Sequence, residues 1–154
     1  MTSEGIAPAT SHPHDGVMTT TTVPTVAPRR TAEGRLRAVL AVNAATSLVA
    51  GVAGLAAARW WSEELGVDSP GWVRIVSIGL VLFAVDVALV ARSRRDVLRR
   101  HAATVSVADL TWVAATAVLV AVGAFSTTGA IIAVVMAVGV LDFALLQLRF
   151  RSQL

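Results

Sequence analysis

The sequence predicts an all-α protein, a four-helix transmembrane bundle, and three observations carry that prediction. The chain has 154 residues, 55% of them apolar and only 15% charged, with a mean hydropathy of +0.70, which is too apolar for a water-soluble domain of this size. The apolar residues gather into four stretches, at about residues 38–58, 73–91, 102–124 and 130–148, each close to the ~20 residues that a helix needs to cross ~30 Å of hydrocarbon. Strand-like alternation is absent, and within lipid a helix satisfies every backbone amide inside its own segment, as an open sheet cannot.

Residues 1–34 are expected to form a disordered cytoplasmic tail ahead of a membrane domain at 35–154. Up to about Pro28 the tail is rich in Thr, Pro, Ala and Ser, including the run Thr19 to Thr22, and it has too little apolar surface to fold. It has no basic start followed by an apolar middle, so it does not read as a signal peptide. Met1 and Met18 are both possible translation starts. His12, His14 and Asp15 lack a third fixed ligand and read as solvated residues rather than a metal site.

Each span has a local signal. Arg29, Arg30, Arg35 and Arg37 precede the first. In the first connection, Ser62, Glu63 and Glu64 suggest the start of a short interfacial helix, and Asp68-Ser69-Pro70-Gly71 reads as a turn and cap opening the second span. Trp60, Trp61 and Trp72 fit an aromatic belt at that end. Arg92, Arg94, Arg95, Arg99 and Arg100 separate spans two and three, Thr127-Thr128-Gly129 reads as a tight turn before span four, and Arg149 and Arg151 follow it. Eleven of the thirteen basic residues, all of them Arg, thus fall on one side. The positive-inside rule makes that side cytoplasmic, with both termini there and the protein multi-pass. The all-Arg basic set, with Ala and Val dominating the apolar residues, fits a GC-rich bacterial genome, hence a bacterial cytoplasmic membrane. The pI of about 11.3 follows from this topology and not from nucleic-acid binding, because the Arg residues flank apolar segments.

Asp86-Val87-Ala88-Leu89 aligns with Asp142-Phe143-Ala144-Leu145, and Asn43 aligns with Asp109. The match suggests a tandem repeat of a two-helix hairpin, parallel rather than inverted.

The candidate site is a polar layer of Asn43, Asp86, Asp109 and Asp142, one residue in each span. Each lies six to eight residues from the nearest basic residue at the Arg-rich end, or roughly 9–12 Å inside it at 1.5 Å per residue. Small or polar neighbours mark the faces expected to point inward: Ser47 and Gly51 after Asn43, Gly79 before Asp86, Gly139 before Asp142, and Trp112 and Thr116 after Asp109. The four side chains are therefore expected to converge in the bundle, since a carboxylate facing lipid costs several kcal/mol. Three carboxylates together need compensation from protons, from a cation, or from Arg37, Arg92 or Arg149 folding back, with Asn43 and the Trp112 indole as further donors. An all-oxygen cluster would suit a hard cation.

Absences narrow the function. There is no Cys, so disulfides and thiolate chemistry are excluded. No span holds a His, and His101 sits at an interface, which argues against haem and zinc within the bundle. No phosphate-binding Gly-rich loop, GxSxG or HExxH is present, so no enzyme and no cofactor are expected.

From Leu36 onward the chain resembles the small four-span integral membrane proteins of unknown function found in many bacteria, especially actinobacteria. Val42-Asn43-Ala44-Ala45-Thr46-Ser47 with Gly51 and Gly54, Arg74 with Gly79, and Val107-Ala108-Asp109-Leu110-Thr111-Trp112 carry the resemblance. It implies a fold and no activity. Two functions are then open: a structural or accessory subunit that self-associates or joins another membrane protein, and a small unit conducting or transporting protons or cations through the polar layer. Four short spans are expected to leave little room for a substrate cavity, which favours the first.

Overall fold

A computed structural model describes the backbone of residues 27–154, with side chains described from Thr31 onward. His12, His14, Asp15 and most of the expected tail lie outside the described residues. Five helices follow one another: α1 (Ala27–Ala56), α2 (Ala58–Leu65), α3 (Pro70–Arg92), α4 (Arg95–Ala121) and α5 (Thr127–Arg151). Four of them are long and apolar enough to cross a membrane. Their outward faces carry large apolar side chains such as Val49, Leu82, Leu89, Val122 and Val135, an amount of exposed apolar surface that calls for lipid and not water. The chain is built as a multi-pass membrane protein with an all-α bundle.

The helices run beyond the apolar stretches, because the sequence marks the hydrocarbon-crossing part while the helix continues through the interface. The expected boundary at residue 35 falls inside α1, which starts at Ala27. Two contacts favour this extension: Ala32 is buried, and Glu33 pairs with Arg37 one turn later at 2.9 Å, a spacing that supports a helix. The first connection also differs from expectation. Ser62 does not open the short helix, which begins at Ala58; the Ser62 hydroxyl donates back to the Arg59 carbonyl at 2.8 Å and is buried. The cap of α3 is as expected, with Ser69 accepting from the Gly71 amide and Pro70 at the first helical position. Thr127-Thr128-Gly129 is not the turn. It is the first turn of α5, capped by Ser126, whose hydroxyl accepts from the Gly129 amide at 2.9 Å. The bend lies just before it, where Gly123 takes a positive φ of 71° that glycine adopts without strain.

The packing makes two hairpins. α1 lies along α3 and α4 along α5, these being the most extensive contacts, with α1 also against α5. Along α1–α3 the approach is close enough to exclude a methyl group: a Cβ on Gly51 would lie 2.9 Å from the Ser77 carbonyl oxygen, and one on Gly54 would collide with the Ser77 hydroxyl. Such close approach maximises dispersion between helices, the main attraction available where lipid is as apolar as the interface.

The two ends are stitched differently. At the Arg-rich end Arg37 donates to the Ala91 and Ser93 carbonyls at 2.6 and 2.8 Å, satisfying carbonyls at the end of α3 that no helical amide reaches. Arg151 donates to the Arg99 carbonyl and Arg95 to that of Leu154. Beneath them Leu36, Leu40, Ala44, Val87, Val90, Ala91, Leu98, Ala102 and Val105 form the core. At the opposite end Ser126 joins α2 to α5: its amide donates to the Leu65 carbonyl and its hydroxyl to that of Glu64. Exposed Trp60 and Trp72 flank this end, in keeping with an aromatic belt.

Candidate functional site

The buried stripe of α4 places Val105, Ser106, Asp109 and Thr116 on its inner face. Asp109, only 3% exposed, is there met by α1 and α5. Its Oδ2 accepts the Asn43 amide at 2.9 Å and the Gln147 amide at 3.1 Å. The Gln147 carbonyl oxygen in turn lies 3.0 Å from the Ser106 hydroxyl, which also reaches the Ala102 carbonyl at 2.9 Å and shares its single proton between them. Asn43, Ser106 and Gln147 are essentially inaccessible. Ser47 extends the chain weakly, its hydroxyl 3.4 Å from the Asn43 Oδ1.

Of the four residues expected to converge, only Asn43 and Asp109 do. Asp86 and Asp142 are exposed on the outside of the bundle. Helix geometry explains this. The packed stripe of α3 runs through Val73, Ser77, Ala84 and Val87, which turns Asp86 about 100° away from Val87. On α5, Gln147 lies five residues beyond Asp142, about 140° around the helix, so the two cannot both face inward, and Gln147 does. The three-carboxylate cage for a hard cation is therefore not formed, and among the described residues no group of three His, Cys, Asp or Glu side chains is placed to hold a metal. Arg37 does not fold back onto the layer either; it is held by Glu33 and by the end of α3.

Gln147 and Ser106 were not singled out by the sequence reading, although both carry signals. Ser106 precedes Asp109 by three residues and so shares its face. Gln147 is an uncharged polar residue in the fourth apolar stretch and draws less notice than the carboxylate beside it.

Trp112 makes no hydrogen bond to Asp109. It lines, with Asp109 and Asn43, a cavity of about 510 Å³ walled by all four long helices. Four short spans therefore do leave room for a ligand-sized space. Most of the lining is apolar, including Leu80, Phe83, Val140 and Phe143, and the polar groups are Asn43, Thr46, Ser47 and Asp109. Gly79 and Gly139 are among the lining residues, and a Cβ on either would meet nothing within 4 Å. Asp109 also has a free acceptor. Its Oδ1 has no hydrogen-bond partner, yet no side-chain oxygen among the described residues is both sealed from access and unpaired, so Oδ1 keeps some access, and Asp109 lines the cavity. A pocket of a few hundred Å³ with apolar walls and a few convergent polar groups is the usual form of a small-molecule site. Toward the Arg-rich end the core closes the bundle beneath Asp109. No family model, curated protein or solved structure matches this chain.

Proposed function

We propose that this protein binds a cation within the membrane, at Asp109, as a small carrier or transporting unit. The observation that carries the reading is a buried carboxylate that lines a ligand-sized cavity and has one oxygen without a hydrogen-bond partner. One oxygen carries both interhelical hydrogen bonds, which leaves the other available to a ligand. The packed core beneath Asp109 speaks against a continuous conducting pore and favours a bound ion. The test is thermal unfolding of the protein in nanodiscs with a panel of inorganic and organic monovalent cations. A cation that binds only the folded protein raises its stability by about 2.7 kcal/mol at a hundred times its Kd, and the increase should vanish in Asp109→Asn. No shift with any cation would overturn the reading.

A second reading, a subunit of a larger membrane assembly, is favoured by Asp86 and Asp142. Both are exposed and lie within the spans, where a carboxylate against lipid is costly and a protein neighbour relieves that cost. If they sit in an interface, replacing both by Leu changes the assembled mass of the protein in native-lipid particles. An unchanged mass would count against this.

A further inference from the structure

We infer that the occupant of the cavity is an organic ammonium ion with an apolar body, entering sideways from the lipid between α3 and α4. The inference rests on the cation reading above and names its substrate class.

The walls decide between kinds of cation. A bare inorganic ion exchanges its hydration shell for several oxygen ligands, typically six or more for Ca²⁺. Here one carboxylate oxygen is free, with an amide and two hydroxyls nearby, and the remaining lining is hydrocarbon and aromatic ring. An organic ammonium brings its own apolar body, so walls that would leave an inorganic ion without ligands give such a body its contacts. Phe83, Trp112 and Phe143 add ring faces, and aromatic faces attract quaternary and primary ammonium groups. The charged head then belongs at Asp109 Oδ1, and the body toward Leu80 and Met136.

The way in follows from the packing. α3 touches α4 far less than it touches α1, and the residues that α3 and α4 contribute to the common core, Val87, Val90 and Ala91 with Leu98, Ala102 and Val105, lie toward the Arg-rich end. Past that contact the cavity is flanked by Val76 and Gly79 on one side and Trp112 on the other, and all three are exposed. An amphiphile partitioned into the bilayer reaches this gap without crossing the packed core.

The experiment uses the full chain in nanodiscs with Trp60, Trp61 and Trp72 changed to Phe, so that Trp112 alone reports. Benzyltrimethylammonium is titrated beside its uncharged carbon analogue, neopentylbenzene, and beside Na⁺ and K⁺. The expected result is saturable quenching by the ammonium, weakened at least tenfold by Asp109→Asn, and little response to the neutral analogue. Gly139→Leu fills the open space and should abolish quenching while leaving the unfolding temperature in place, a control that does not depend on Asp109. Asp86→Asn and Asp142→Asn should leave binding unchanged. Equal binding of the neutral analogue, or quenching that survives Gly139→Leu, would overturn the inference. Stabilisation by Na⁺ or K⁺ through Asp109 with no ammonium binding would overturn it while leaving the cation reading intact, and no response to any cation would remove both.

Discussion

Asp109 uses its two carboxylate oxygens for different purposes, and substitutions can separate them. Oδ2 satisfies the amides of Asn43 and Gln147, so Asp109→Leu leaves two buried donors without acceptors, each costing about 1–3 kcal/mol. Asp109→Asn keeps an acceptor for both amides and removes a buried charge, whose desolvation is unfavourable. Unfolding in detergent or nanodiscs should therefore show a clear loss for the Leu variant and equal or higher stability for the Asn variant. A comparable loss in both would mean that charge, not hydrogen bonding, holds α1, α4 and α5 together. Arg37 offers a second residue-level test. Its forked guanidinium spans Glu33 and two carbonyls of the α3 terminus, and a Lys ammonium cannot cover the same set. Arg37→Lys should thus lose most of what Arg37→Met loses, as measured by the unfolding temperature.

At the scale of elements, α1 and α3 owe their approach to Gly51 and Gly54 opposite Ser77. Gly54→Ala places a methyl group on the Ser77 side chain, and overpacking of this kind costs about 1–3 kcal/mol. The collision involves only the side chain of Ser77, so Ser77→Gly in the same chain should restore stability. Gly129 has no such remedy. A Cβ there would meet the backbone of Leu65, so Gly129→Ala must part α2 from α5 and disturb the Ser126 junction, whatever side chain stands at 65. Comparing unfolding temperatures of Gly54→Ala, its double variant with Ser77→Gly, and Gly129→Ala checks both statements. The hairpin repeat also acquires meaning at this scale. Asn43 and Asp109, aligned with each other, are both buried and bonded together, whereas the aligned pair Asp86 and Asp142 are both exposed.

For the whole molecule, α1's start, the α3–α4 connection and the chain's last residues come together at the Arg-rich end, held by Arg37, Arg95 and Arg151. If that end is cytoplasmic, as eleven of thirteen Arg residues imply, a Cys at Ser93 is labelled only from inside and one at Thr128 only from outside. The natural chain has no Cys to confuse the assay, and the opposite labelling would reverse the orientation. The core toward the Arg-rich end and the open middle also divide the bundle. Leu98→Ala, in the core, should lower the unfolding temperature substantially, by about 2–5 kcal/mol in stability. Substitutions that fill the cavity at Gly79 or Gly139 should not.

The number of spans, the helical class, the Arg-rich end and the Ser69-Pro70 cap were legible in the sequence, because each depends on residue type and short spacing: apolar length, charge count, and a hydroxyl ahead of a proline. The helix ends were less so, since pairs such as Glu33 with Arg37 and caps such as Ser126 extend a helix past its apolar part. The polar layer was half legible. Depth along a helix is estimated by counting residues, and Asn43 and Asp109 do meet, but direction depends on which stripe of each helix packs. Gly54 against Ser77 fixes the rotation of α3 and with it turns Asp86 outward; Gln147, facing inward on α5, leaves Asp142 on the far side. The cavity could not be read from the sequence at all, because a void is set by how four helices pack around it, a property of no single residue or segment.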